Sequence, residues 1–162
     1  LTLSVSAYAD EPKSPFENAR YVMRARFLKH TIEVPWHTGS SSLEIPVGQL
    51  PLSMLWWPRG YGNQVMHPIV TELVESLSGK VISSFERKIG LRHLELLNSE
   101  SFEFVINSVT ICCRGANWIP ADLFAGRLQG TTRAKDLLTL CCEANMNAIR
   151  IWGGGIYETD EV

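Results

Sequence analysis

Hydrophobic and polar positions alternate along most of the first ninety or so residues. Leu1, Leu3 and Val5 share one side of a stretch running to Tyr8, which predicts a strand. Tyr21 to Leu28, Leu43 to Val47, Pro68 to Leu77 and Val81 to Arg87 repeat the pattern, and Leu91 to Leu97 continues it. Between them lie turn signals. Asp10 to Ser14 is polar and carries a proline, Gly39 with Ser40, Ser41 and Ser42 predicts a polar turn, and Gly79 predicts another. Short strands with turns every 8 to 12 residues predict an immunoglobulin-like β-sandwich over 1–97.

The pattern changes from residue 98 onward. Phe102 to Ile106 and Thr110 to Arg114 flank Asn107-Ser108, a hairpin whose turn is one glycine short of the favoured Asn-Gly pair. Ala134, Leu137, Leu138, Cys141 and Ala144 then fall on one stripe of a helix, with Thr131 or Thr132 as its cap and Asn145 as its left-handed stop. Ala148 to Trp152 returns as a strand, so the segment reads as strand, crossover helix and parallel strand. In that last strand Ile149 and Ile151 share the face that meets the helix, and Ala148, Arg150 and Trp152 share the other. An arginine in the middle of an otherwise covered face needs a polar interior. The mouth of a (β/α)8 barrel supplies one, whereas an open doubly wound sheet does not. The whole chain is therefore expected to be a multidomain β plus α/β protein, with 98–162 forming the N-terminal part of such a barrel. The alternative for Arg150 is an ion pair that serves stability alone.

Composition narrows the chemistry. The 162 residues are 45% hydrophobic and 20% charged, ordinary for a globular chain, and the net charge of −2 leaves no footprint for nucleic acid. No apolar run approaches the about 20 residues of a membrane span. Five tryptophans are many for this length, and an indole offers a flat apolar face plus one donor, the combination that suits a sugar ring. Core packing is the competing use for each of them. The four cysteines form two adjacent pairs, Cys112-Cys113 and Cys141-Cys142. Neighbours on a strand point to opposite faces and cannot jointly grip a metal, so reduced core packing is expected ahead of a disulfide or a metal site. His30, His37, His67 and His93 have no ligand-like spacing, and Gly153-Gly154-Gly155 lacks the spacing of a dinucleotide loop.

Four stretches, in this order, carry a resemblance. They are Leu55-Trp56-Trp57-Pro58-Arg59-Gly60-Tyr61-Gly62, Gly115-Ala116-Asn117-Trp118-Ile119-Pro120-Ala121-Asp122, Ala144-Asn145-Met146-Asn147 and Arg150-Ile151-Trp152-Gly153-Gly154-Gly155-Ile156-Tyr157-Glu158. Together they resemble the β-mannosidases of glycoside hydrolase family 2. The likeness implies an internal stretch of such an enzyme, holding the sandwich and the first two strands of the catalytic barrel. It implies retaining, exo-acting removal of terminal β-linked mannose from oligosaccharides. It also implies no cofactor and a lysosomal setting as in the animal enzymes, with secreted or cytoplasmic as alternatives. That chemistry takes two carboxylates about 5–5.5 Å apart. The family draws both, as Glu, from later barrel strands, so neither the acid/base nor the nucleophile is expected within 1–162, and Glu158 is not promoted to either role.

By motif, the resemblance makes Trp152 a wall of the mannose subsite and Arg150 a support for the catalytic carboxylates. Asn117, Trp118 and Asp122 are expected at the same mouth. For Asp122 the competing use is a helix cap or loop anchor. Departures from the family pattern fall at Cys112-Cys113-Arg114, at Asn107-Ser108 and in the loop from Phe124 to Thr131, all outside the mouth. Two rival functions stay open: a sibling β-galactosidase or β-glucuronidase type of enzyme, and a non-catalytic sandwich module used for interaction.

Overall fold

The computed structural model describes residues 2–8, 21–37, 40–98, 102–122, 124, 127, 132–155 and 157. These fall into two compact units, Leu1–Leu55 with Val65–Leu91, and Trp56–Gln64 with Arg92–Val162. The first unit holds β1 (Thr2–Tyr8), β2 (Tyr21–Phe27), β3 (His30–Pro35), β4 (Ser40–Pro46), β5 (His67–Glu75) and β6 (Val81–Ile89). The second holds β7 (Leu94–Asn98), β8 (Phe102–Ile106), β9 (Val109–Ile111), β10 (Gly115–Trp118), α1 (Arg133–Glu143) and β11 (Ala148–Ile151).

In the first unit two antiparallel sheets, β1-β4 and β3-β2-β5-β6, make a sandwich. Period-two alternation sends Met23, Ala25 and Phe27 of β2 inward to meet Leu43 and Ile45 of β4 and the following Val47, with Leu3, Val5 and Ala7 of β1 beside them. Phe27, Met23 and Ile45 are fully buried, and each contributes about 1.5–3 kcal/mol by leaving water. The opposite face of β2 and β5 carries a row of charges fixed by the register. Arg24 faces Glu33 on one side and Glu72 on the other. Its Nε donates to Glu33 Oε1 at 2.6 Å and its Nη1 to Glu72 Oε2 at 3.5 Å, while Arg26 Nη2 donates to Glu72 Oε1 at 2.7 Å. Glu72 is buried, so those two guanidinium groups stand in for the water it has lost. The hydrogen bond from Arg24 to Glu33 also raises the guanidinium pKa.

Most of the strands expected from the pattern are present. Two strands went unread: β3, because Leu28 turns the chain with a positive φ of 51° that no glycine announced, and β10, which begins at Gly115 where the strand expected over Thr110 to Arg114 was to have ended. The serine turn is a correction. Ser40, Ser41 and Ser42 begin β4, and Ser41 is buried, its Oγ accepting the His37 N–H at 2.8 Å and donating to the Pro35 carbonyl at 3.4 Å. Serines that satisfy backbone groups in this way sit comfortably in a strand. The expected loop at Asp10 to Ser14 lies outside the described residues. The polar hairpin turn at Gly79, with φ of 70°, is where the pattern put it.

The two compact units are not continuous in sequence. The aromatic stretch Trp56–Gln64 belongs with the later residues, and so do Leu94 to Leu97. Two contacts explain it. Asn107 Nδ2 donates to the Trp56 carbonyl at 3.0 Å, and the Arg92 guanidinium stacks 4.7 Å from the Trp56 ring centroid. Asn107 also takes up the His93 N–H on its Oδ1 at 2.9 Å. It occupies the first turn position of the β8–β9 hairpin, where Asn107 and Ser108 both have positive φ, 51° and 68°. That is a type I′ turn, the one the twist of a hairpin favours.

The cysteines do not pack a core. All four are free thiols, with Cys112, Cys113 and Cys142 exposed and Cys141 half-buried. The expected strand through Cys112 ends early, at Ile111, because the Cys112 N–H donates to the Tyr61 hydroxyl at 2.9 Å and not to a neighbouring strand. Among the described residues no group of His, Cys, Asp and Glu is placed to hold a metal. No described helix is long and apolar enough to cross a membrane.

Candidate functional site

The second unit ends in a parallel pair joined by α1. β10 and β11 pair in the register Gly115 with Ala148, Ala116 with Ile149, Asn117 with Arg150 and Trp118 with Ile151. Three features hold this unit together. Gly115 meets the partner strand so closely that a Cβ there would lie 1.8 Å from the Ala148 carbonyl oxygen, which excludes every other residue. Asn145, at φ 57°, stops α1 in the left-handed region as its sequence predicts. Asn147 then clamps the incoming strand. Its Nδ2 donates to the Cys112 carbonyl at 3.0 Å and its Oδ1 accepts the Arg114 N–H at 2.8 Å. The cap at the other end of α1 departs from expectation. The Thr132 hydroxyl makes no capping bond to the backbone and donates instead to Asp136 Oδ2 at 2.9 Å.

Alternation then sorts the side chains. Asn117 and Arg150 lie side by side, and Arg150 Nη1 donates to Asn117 Oδ1 at 3.1 Å. Both side chains are exposed and sit one residue from the C-terminal ends of their strands. Among the described residues no carboxylate stands within ion-pair distance of Arg150, so the alternative of a purely stabilising bridge finds no partner there. The amide fixes one edge of the fork and leaves the remaining guanidinium donors available.

Trp152 follows directly. Its N–H donates to the Trp118 carbonyl at 3.0 Å, extending the ladder by one bond, and its own carbonyl accepts the Gly155 N–H at 2.9 Å in a turn. The indole folds over the glycine run. A Cβ on Gly154 would lie 2.4 Å from Cζ3 and 2.5 Å from Cη2. Trp152 is 47% exposed, so the residue sits against the glycine run on one side and meets solvent on the other.

Asp122 is half-buried in the stretch after β10. Its Oδ1 accepts the Phe124 N–H at 2.8 Å and two donors of Arg127, Nη2 at 2.8 Å and Nε at 3.1 Å. The Phe124 hydrogen bond first, and Arg127 second, hold its carboxyl below the ordinary carboxylate range. The anchoring use weighed for Asp122 is thus present in its geometry.

Trp118 differs in burial from the other residues expected at the mouth. It is the one buried member of the set, and it lines an apolar cavity of about 470 Å³ with Asn117, Ile119, Leu137, Leu140, Cys141, Ala144 and Met146. Its register partner is Ile151, on the face opposite Asn117 and Arg150. It is buried beside the cavity that α1 also lines. Glu158 lies outside the described residues, as does most of the loop from Phe124 to Thr131. Sequence reasoning did not single out Arg127 or Asn147. Arg127 stands five residues past Asp122 across a stretch with no periodic pattern, whereas the Asn-Met-Asn run held the clue to Asn147.

No protein-family model matches the chain. The β-mannosidase of Bos taurus is 34% identical to it over 143 residues, 83% of this chain and 16% of the bovine protein. A probable β-mannosidase of Caenorhabditis elegans is 35% identical over 129 residues, 74% of this chain and 13% of the nematode protein. The chain thus spans about a sixth or less of the curated relatives it matches. Among solved structures, the exo-chitosanase of Amycolatopsis orientalis is similar in fold, with a TM-score of 0.71 and 21% identity, covering 99% of this chain and 18% of that one. With the motif order, the parallel pair and these relatives together, the chain belongs to the β-mannosidases of glycoside hydrolase family 2.

Proposed function

We propose that the chain is part of a retaining, exo-acting β-mannosidase and supplies one wall of the subsite for a terminal β-linked mannose. In this reading the sandwich is immunoglobulin-like and β10, α1 and β11 open a (β/α)8 barrel. The acid/base and nucleophile, both Glu, belong to later barrel strands and not to residues 1–162. The setting is lysosomal, the partner is an oligosaccharide, and the hydrolysis uses no cofactor.

The observation that carries the reading is the exposed group at the C-terminal ends of two parallel strands. Asn117 braces Arg150, and the exposed indole of Trp152 lies against Gly154. A planar aromatic covers the apolar face of a pyranose, and a braced guanidinium offers donors to hydroxyls or to a carboxylate of the complete site. Asp122 adds an ionised acceptor. Trp118 contributes packing and no sugar contact.

The test is binding of methyl β-D-mannoside followed on the Trp152 indole N–H resonance, against the galactoside and the glucuronide. Saturable movement with the mannoside, lost in Trp152→Ala, is expected. Equal movement with all three sugars would favour a sibling exo-glycosidase, the reading that likeness to an exo-chitosanase fold also keeps open. Aryl β-mannosides are expected to be left uncleaved by the 162 residues, and turnover above a heat-treated control would overturn the placement of the catalytic Glu residues.

A further inference from the structure

We infer that Arg127 is a positioning residue that turns one oxygen of Asp122 toward a sugar hydroxyl and keeps that carboxylate from rotating. The inference rests on the subsite reading above and deepens it. Its basis is the uneven use of the two carboxylate oxygens. Oδ1 accepts three hydrogen bonds, from the Phe124 N–H and from Nε and Nη2 of Arg127. Oδ2 accepts none among the described residues, and its nearest cation is Arg133, with Nη1 at 3.9 Å. A carboxylate offers about four lone-pair sites, and here they are spent on one side only.

Arg127 can hold that arrangement because it is itself held. Its guanidinium lies 4.7 Å from the Phe124 ring centroid, and its N–H donates to the Phe124 carbonyl at 2.9 Å. A side chain fixed at its backbone and stacked along its fork loses less freedom on making the pair than a free surface arginine does. The groups facing Asp122 are therefore Phe124 and Arg127 from its own loop and Arg133 from the first turn of α1. Two of them fasten Oδ1, and the third lends charge without occupying Oδ2. A donor arriving at Oδ2 meets an acceptor whose other oxygen is already fastened and which is already ionised, which is what orienting a neutral hydroxyl requires.

The experiment follows the Asp122 carboxyl carbon by NMR in the 162-residue chain, across pH and with methyl β-D-mannoside. Arg127→Ala is expected to raise the Asp122 titration midpoint and to weaken the sugar-induced shift of Asp122 roughly tenfold in apparent affinity, the loss of about one charge-assisted contact. Arg127→Lys restores the charge without the fork, and is expected to recover the titration more fully than the affinity. Arg133→Ala is expected to move the midpoint less than Arg127→Ala and to leave the affinity within about twofold. Amide spectra of each variant report whether β10 and β11 stay paired. An unchanged midpoint in Arg127→Ala overturns the inference, as does a raised midpoint with undiminished affinity. If the mannoside moves neither Asp122 nor Trp152 in the parent chain, the subsite reading itself fails, and the sugar-orienting half of the inference with it. The titration arm would still decide the Arg127 clamp.

Discussion

The indole of Trp152 lies so close to Gly154 that a single methyl group at residue 154 would sit 2.4 Å from Cζ3. The neighbour is the far end of a side chain and not backbone, so the ring swings away and the fold survives. Gly154→Ala is expected to change the Trp152 indole N–H shift and fluorescence while costing no more than about 1 kcal/mol of stability. Mannoside binding is expected to weaken with the ring's displacement. An unchanged indole signal in the variant would show that the glycine does not set the ring's place.

Gly115 gives the opposite outcome. A Cβ there meets the Ala148 carbonyl oxygen at 1.8 Å and its carbon at 2.7 Å, and both are backbone of the partner strand. Gly115→Ala is expected to part β10 from β11 and destabilise the second unit by about 2–4 kcal/mol. Hydrogen exchange checks it: amides of Gly115–Trp118 and Ala148–Ile151 lose protection while those of β2 and β5 keep theirs.

The hairpin turn offers a gain. Ser108 sits at φ 68°, which costs a residue with a Cβ about 1–2 kcal/mol and a glycine nothing. Ser108→Gly is expected to raise unfolding stability by about 0.5–1 kcal/mol, since the freer unfolded chain offsets part of the relief. Asn107→Ala is expected to cost about 1–3 kcal/mol, because the buried Asn107 amide is lost and the Trp56 carbonyl and His93 N–H lose their partner. Urea denaturation of both variants tests the pair of signs.

Asp122 sets a pH dependence. Its carboxyl titrates below the ordinary value when folded, so its contribution is present above about pH 4 and is lost as pH falls through the lower folded value. The Phe124 amide, which donates to it, is expected to shift with that same low midpoint in NMR. A midpoint at or above the ordinary aspartate value would contradict the bond seen here.

Glu72 ties two arginines on the sandwich face while itself buried. Glu72→Ala is expected to destabilise the first unit by about 1–3 kcal/mol, and Arg26→Ala in the same background to add little. A full double-mutant cycle measures that coupling by denaturation.

The parts of this chain that could be read in advance are those where one local rule decides. Alternation placed β2, β4 and β5, and helical spacing placed α1 within a residue or two. Parity put Arg150 on the side away from Ile149 and Ile151. What escaped depends on partners distant in sequence. Cys112 leaves the strand for Tyr61, Ser41 is drawn into β4 by His37 and Pro35, and Trp118 is buried while Asn117, one residue earlier, stays exposed. Pattern identifies a surface as apolar or polar, but not which of two polar partners a given backbone group will choose. The role of Asp122 needed the position of Arg127, which no period predicts.

The stretch Trp56–Gln64 lies between β4 and β5 in sequence and belongs to the other unit in space. The polypeptide therefore passes from one unit to the other three times, after Leu55, after Gln64 and after Leu91. A sandwich excised as one continuous piece would carry nine orphan residues out with it, and the remainder would lose the chain that Asn107 and Arg92 grip. A cut that treats the two as beads on a string therefore severs one of them wherever it falls between Leu55 and Leu91.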